Sequence, residues 1–220
     1  MVVDRRTYDT PHGPGRIVQR RAGSPWAALL LTHSAGSGIE AHDLVALAAQ
    51  LPPLGINVAL VELPWRTAGK RIAAAPSVLD ASFRSLANHL RPRTPMFVGG
   101  RSAGARVACR TARGLGAIGV LALAFPLHPP GRSDASRVAE LRGARLPTLV
   151  VQGERDAHGR PAEFPAGTNL VRIAEADHSF AVGARAGVSQ QATTLAVVDA
   201  AYTWIAGSLG RGTTAHGTRL

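Results

Sequence analysis

Cysteine, lysine and aromatic residues are all scarce in this chain, and each scarcity narrows what it can be. Cys109 is the sole cysteine, so no disulfide can close within the chain and no cysteine-based metal cluster can form. Only 5% of the residues are aromatic, so a core must be built from Ala, Val, Leu and Ile. No apolar run approaches the roughly 18 residues of a membrane span, and Met1–Asp9 is polar and charged rather than signal-like. The expectation is a soluble cytoplasmic protein. The histidines lack zinc-type spacing, and neither a Walker-type phosphate loop nor Gly-x-Gly-x-x-Gly stands where a first βα turn would need it. No metal or other cofactor is therefore expected.

What is abundant is positive charge, +11 formally, yet Lys70 is the only lysine and the arginines are scattered. A nucleic-acid footprint would gather them in a run or stripe. A solvated cationic surface is the simpler reading, with neither a nucleic acid nor a membrane as partner. Composition says nothing of oligomeric state.

At 220 residues the chain suits one domain with a full core. Its expected core spans about residues 8–207, followed by a frayed Gly/Thr/Arg-rich tail over 208–220. Short apolar runs at 26–32, 57–62, 96–99, 119–125, 148–153 and 169–173 read as strands, with a further edge strand over 16–21. Helical patterns lie between them: 41–51 with Leu44, Leu47, Ala48 and Leu51 on one face, and a helix capped by Ser77 with Leu79, Phe83, Leu86 and Leu90 as its stripe. A helix from Ala103 to about Arg113 follows, with Cys109 as a small core residue. A last helix over 190–205 turns Leu195, Val198, Tyr202 and Ile205 inward. Apolar strands alternating with amphipathic helices predict an α/β fold: a mostly parallel sheet with helices on both faces.

The sharpest local signal is Met96-Phe97-Val98-Gly99-Gly100-Arg101-Ser102-Ala103-Gly104, a strand running into Gly-x-Ser-x-Gly and then a helix. Small residues at 100 and 104 let backbone pack closely around a strained turn that lifts the Ser102 hydroxyl above the sheet. The same turn places the Ala103 N–H at a helix N-terminus, suited to an oxyanion. A serine nucleophile needs an imidazole to take its proton and a carboxylate to fix the tautomer. Asp156 stands just past the 148–153 strand, and His178 in the loop after 169–173, giving the order Ser, acid, His. Glu154 and Asp177 compete with Asp156 as weaker acids.

The loop His33-Ser34-Ala35-Gly36-Ser37-Gly38 follows an early strand and can supply the second oxyanion donor, for which Ala35 is expected, with His33 organising the loop. Possible pocket residues are His33, Ser34, Trp65, Arg66, Arg101 and His128, with Arg66 or Arg101 favouring an anionic substrate. Only 22 residues or so separate the strands ending at Phe125 and starting at Thr148, which leaves little room for a lid and predicts an open site for short acyl chains.

Assembled, these residues resemble an α/β-hydrolase of the dienelactone-hydrolase-like kind. The chain is similar to a small bacterial group related to the eukaryotic testis-expressed and NSL-complex-subunit hydrolase-like proteins. The stretches that carry the resemblance are 10–14 (Thr-Pro-His-Gly-Pro), 61–66 (Val-Glu-Leu-Pro-Trp-Arg) and 98–106 around Ser102. Further on come 124–131 (Ala-Phe-Pro-Leu-His-Pro-Pro-Gly), 151–156 (Val-Gln-Gly-Glu-Arg-Asp) and 176–178 (Ala-Asp-His). The resemblance implies Ser102 as nucleophile, Asp156 as acid and His178 as base, in a cofactor-free hydrolase of a small-molecule ester or thioester. It names no substrate. Where many relatives carry His-Gly, this chain has His33-Ser34. The rival expectation is a binding or scaffold protein that keeps the fold without turnover.

Overall fold

The computed structural model describes residues 3–90 and 92–212. An eight-stranded sheet organises the chain: β1 (Val3–Thr10), β2 (Gly13–Arg20), β3 (Ala27–Thr32), β4 (Ile56–Glu62), β5 (Met96–Arg101), β6 (Gly119–Leu123), β7 (Thr148–Gly153) and β8 (Leu170–Ile173). The spatial order is β1-β2-β4-β3-β5-β6-β7-β8. β1 and β2 form a hairpin that joins β4 antiparallel, and every remaining pairing is parallel.

The central strands β3 to β7 are buried on both faces, which is why they read as continuous apolar runs rather than alternating ones. Their two-residue period nevertheless sorts side chains into two cores. Leu29, Leu31, Val58, Leu60, Phe97, Leu121 and Val151 face one layer, formed by α1 (His42–Gln50) and α6 (Gln190–Ser208). Leu30, Ala59, Val61, Val98, Val120, Ala122 and Val150 face the other, which includes α3 (Pro76–Ala87), α4 (Ala103–Thr111) and α5 (Val138–Arg142). The short α2 (Pro64–Thr67) follows β4. No cap domain interrupts residues 124–147, in keeping with the short connection in the sequence.

Several expectations are corrected. The strand at 16–21 is not an edge, because the charged hairpin partner β1 lies outside it. α3 starts at Pro76 with Ala75 as N-cap, so Ser77 lies inside the first turn and makes no cap. The Val78 and Leu79 N–H groups bond instead to the Ala75 carbonyl. Of the expected inner face of α6, Val198 and Ile205 are buried and Tyr202 is half-buried against the core, but Leu195 is 46% exposed, and Val197 and Ala201 are buried in addition. Ser208 is helical, and residues 213–220 of the expected tail lie outside the described residues. No helix among the described residues is long and apolar enough to cross a membrane.

Candidate active site

Ser102 sits on the turn between β5 and α4 with φ 54° and ψ −112°, a strained conformation for a residue with a Cβ. Its neighbours explain how the turn is possible. A Cβ on Gly100 would lie 2.7 Å from the Thr32 carbonyl oxygen, and one on Gly104 would lie 2.5 Å from it. Only glycine at both positions lets the turn pack against the end of β3. The Arg106 N–H donates to the Ser102 carbonyl, so the Ala103 N–H precedes the first bond of the helix and points out of its N-terminus.

Ser102, Asp156 and His178, far apart in sequence, meet at the carboxyl edge of the sheet. Ser102 Oγ donates to His178 Nε2 at 2.9 Å, and His178 Nδ1 donates to Asp156 Oδ2 at 2.7 Å. Asp156 is fully buried and accepts two more bonds: the His158 N–H to Oδ1 and Gln152 Nε2 to Oδ2, both at 2.8 Å. Gln152 also donates to the Gly159 carbonyl at 2.8 Å, so its amide can stand only with nitrogen toward these acceptors. The competing acids are engaged elsewhere. Glu154 accepts the Glu175 N–H and pairs with Arg172, while Asp177 Oδ1 accepts the Ser179 and Ala181 N–H groups and shapes the histidine loop.

The loop after β3 is held by His33, which is 2% exposed. The Leu63 N–H donates to its Nε2 at 3.0 Å, so the ring proton sits on Nδ1 and is donated to the Ser34 carbonyl at 2.9 Å. Burial holds this imidazole below its ordinary protonation range. Ser34 Oγ accepts the Ser37 N–H at 2.9 Å, which gives the extra side chain at this position a role in closing the loop. Ala35 is exposed beyond it.

Most of the expected pocket residues are walls rather than free polar groups. Trp65 is buried against His33, with ring centroids 5.5 Å apart. Arg66 pairs with Glu40 at 3.1 Å. The expectation of Arg101 as a cation for an anionic substrate is corrected. It is 5% exposed, lies 3.7 Å from the buried Asp43 carboxylate, and donates to Ser37 Oγ and the His178 carbonyl. Burial pushes the Asp43 carboxyl up, and Arg101 opposes that shift. His128 is likewise turned inward, with one ring nitrogen on Glu163 and the other on the Pro129 carbonyl, contacts that raise its protonation range.

Gln152, Ser37, Asp43 and His158 were not singled out from the sequence. A faint signal existed for Gln152, the one amide in the apolar strand Thr148–Gly153. Cys109 is buried in α4, where loss of hydration pushes its thiol up to about 12. No cluster of three or more His, Cys, Asp or Glu side chains able to hold a metal ion occurs among the described residues.

Comparisons with known proteins agree with this architecture. A serine hydrolase without a lid from Xanthomonas campestris superposes with a TM-score of 0.68 at 21% identity, over 92% of this chain and 94% of that one. A dienelactone hydrolase from Anabaena variabilis gives 0.69 at 18% identity, over 94% and 97%. Est1E from Butyrivibrio proteoclasticus gives 0.69 at 10% identity, over 94% and 99%. At such identities these likenesses speak for the fold alone. No curated protein sequence matches the chain. The profile of the alpha/beta hydrolase domain family matches residues 25–206, and to that family the chain belongs.

Proposed function

We propose that the protein is a serine hydrolase that cleaves an ester or thioester of a small molecule through an acyl-enzyme intermediate. The observation that carries this reading is the unbroken chain of hydrogen bonds from Ser102 Oγ through His178 to Asp156. In the proposed cycle, Ser102 Oγ attacks the substrate carbonyl carbon as its proton passes to His178 Nε2. Asp156 holds the ring in the tautomer with hydrogen on Nδ1 and stabilises the imidazolium. The Ala103 and Ala35 N–H groups receive the oxyanion. His178 then gives its proton to the leaving alcohol or thiol, whose departure leaves the acyl group on Ser102. It next takes a proton from water as the water oxygen attacks the acyl carbonyl, and gives that proton to Ser102 Oγ as the bond to the acyl group breaks and the acid is released.

The connection between β6 and β7 lacks a cap, and Ser102 is half-buried rather than enclosed, which favours short acyl chains. The test is fluorophosphonate labelling together with a panel of esters and thioesters of increasing acyl length. Labelling and turnover by the wild type, both lost in Ser102→Ala, are expected. Absence of labelling in the wild type would overturn the reading in favour of a hydrolase-fold scaffold.

A further inference from the structure

A second imidazole lies in the site without a place in the proton path. His158 follows Asp156 by two residues and its N–H donates to Asp156 Oδ1 at 2.8 Å, while its carbonyl accepts the His128 N–H at 3.0 Å. Its backbone is thus tied on both sides. The ring lies against that of His178, with centroids 4.0 Å apart and planes 35° apart. Its Nδ1 is buried without a hydrogen-bond partner, so that nitrogen does not anchor the ring.

His178 needs such a contact. It sits on a long irregular connection between β8 and α6, with Glu175 and Phe180 on either side at positive φ. Rotation of an imidazole about its outer side-chain torsion is soft, yet the ring must present Nδ1 to Asp156 and Nε2 to Ser102 in one plane. A small swing about the Asp156 bond would carry Nε2 away from the serine. We propose that His158 is a positioning residue whose ring clamps the plane of His178 between Asp156 Oδ2 and Ser102 Oγ. This rests on the reading of Ser102, His178 and Asp156 as a working triad.

The charges around His158 fit a neutral ring. Burial and the neighbouring His178 hold it below the ordinary imidazole range, Arg137 acts in the same direction, and Asp156 opposes them. A neutral stack tolerates the imidazolium that His178 becomes during attack. A protonated His158 would repel it at this separation.

The test uses the full-length protein with His158→Ala and His158→Phe, the second keeping an aromatic face without a titrating nitrogen. The rate of fluorophosphonate labelling is followed from pH 5 to 9, and folding is checked by circular dichroism. Loss of about tenfold or more is expected for His158→Ala, on the scale that small misplacements of a reacting group produce. His158→Phe should stay within about threefold of the wild type at pH 8. Equal labelling of His158→Ala and wild type would overturn the proposal, as would a folded His158→Phe as slow as His158→Ala. The hydrogen-bonded Nδ1 proton of His178, followed by NMR, gives a readout that needs no turnover. A sharp signal in wild type and His158→Phe that broadens in His158→Ala supports the clamp. The same signal in all three proteins overturns it, even if failure of wild-type labelling has already ended the hydrolase reading.

Discussion

Replacing Asp156 by Asn changes a charge and almost no volume, and the structure gives the size of the effect. The carboxylate accepts three hydrogen bonds and donates none. An Asn amide oxygen at the Oδ2 position still accepts from His178 and Gln152, but its nitrogen then faces the His158 N–H, donor against donor. The opposite orientation forces His178 into the wrong tautomer and opposes Gln152, so the first is preferred. Leaving that backbone N–H unsatisfied costs about 1–3 kcal/mol of stability. The larger loss is in the transition state, where His178 becomes an imidazolium 2.7 Å from the carboxylate oxygen. At an effective dielectric constant of about 20, opposite unit charges at that separation interact by about 6 kcal/mol. Part of this is recovered by the neutral hydrogen bond that remains, leaving about 4–5 kcal/mol, or roughly 10³- to 10⁴-fold in rate. The assay is the pseudo-first-order rate of fluorophosphonate labelling at pH 8, with a urea melt for stability. A folded Asp156→Asn labelled within about thirtyfold of the wild type would refute the reasoning.

Gly104→Ala should gain up to about 1 kcal/mol of helix propensity. It should lose more, about 1–3 kcal/mol net, because its Cβ meets the Thr32 and His33 carbonyl oxygens at 2.5 and 2.7 Å. A lower melting midpoint and slower labelling through a displaced 33–38 loop are expected together. Arg101→Met leaves Asp43 buried without its ion partner and should cost about 3–5 kcal/mol in a urea melt, with the added change Asp43→Leu recovering most of it. The Pro129 carbonyl, and after it Glu163, raise the protonation range of His128, so these contacts stabilise the fold below the ordinary imidazole value and the gain is lost as pH rises through the folded one. Because Glu163 is 40% exposed, the effect stays below about 1 kcal/mol. The difference in melting temperature between wild type and His128→Asn should therefore be larger at pH 5.5 than at pH 8. His33 has the opposite sign: its range is depressed, so the unfolded chain takes up the proton first and stability falls as pH drops below about 6.5. The slope of melting temperature against pH between 5 and 7 should be flatter in His33→Gln than in wild type.

The α/β class was legible because buried parallel strands leave apolar runs of fixed length, as at Ala27–Thr32 and Thr148–Gly153. So was the order of Ser102, Asp156 and His178, since each follows a strand that a reader can find. β1 escaped notice because its side chains are charged and largely exposed, so no burial pattern marks it. Leu195 on α6 was misplaced for a related reason: the helix's apolar residues nearly encircle it, and only the layer it meets selects among them. The remaining decisions belong to tertiary structure. Whether Arg101 faces a substrate or a carboxylate depends on where Asp43, in another element, is brought by the crossing of α1 over the sheet. The sequence alone determined which residue types stood ready for acyl-transfer chemistry, because strand, turn and helix signals are local. Only the folded chain decided their partners, since Gln152, His158 and Ser37 act through hydrogen bonds and ring contacts whose directions no local pattern encodes.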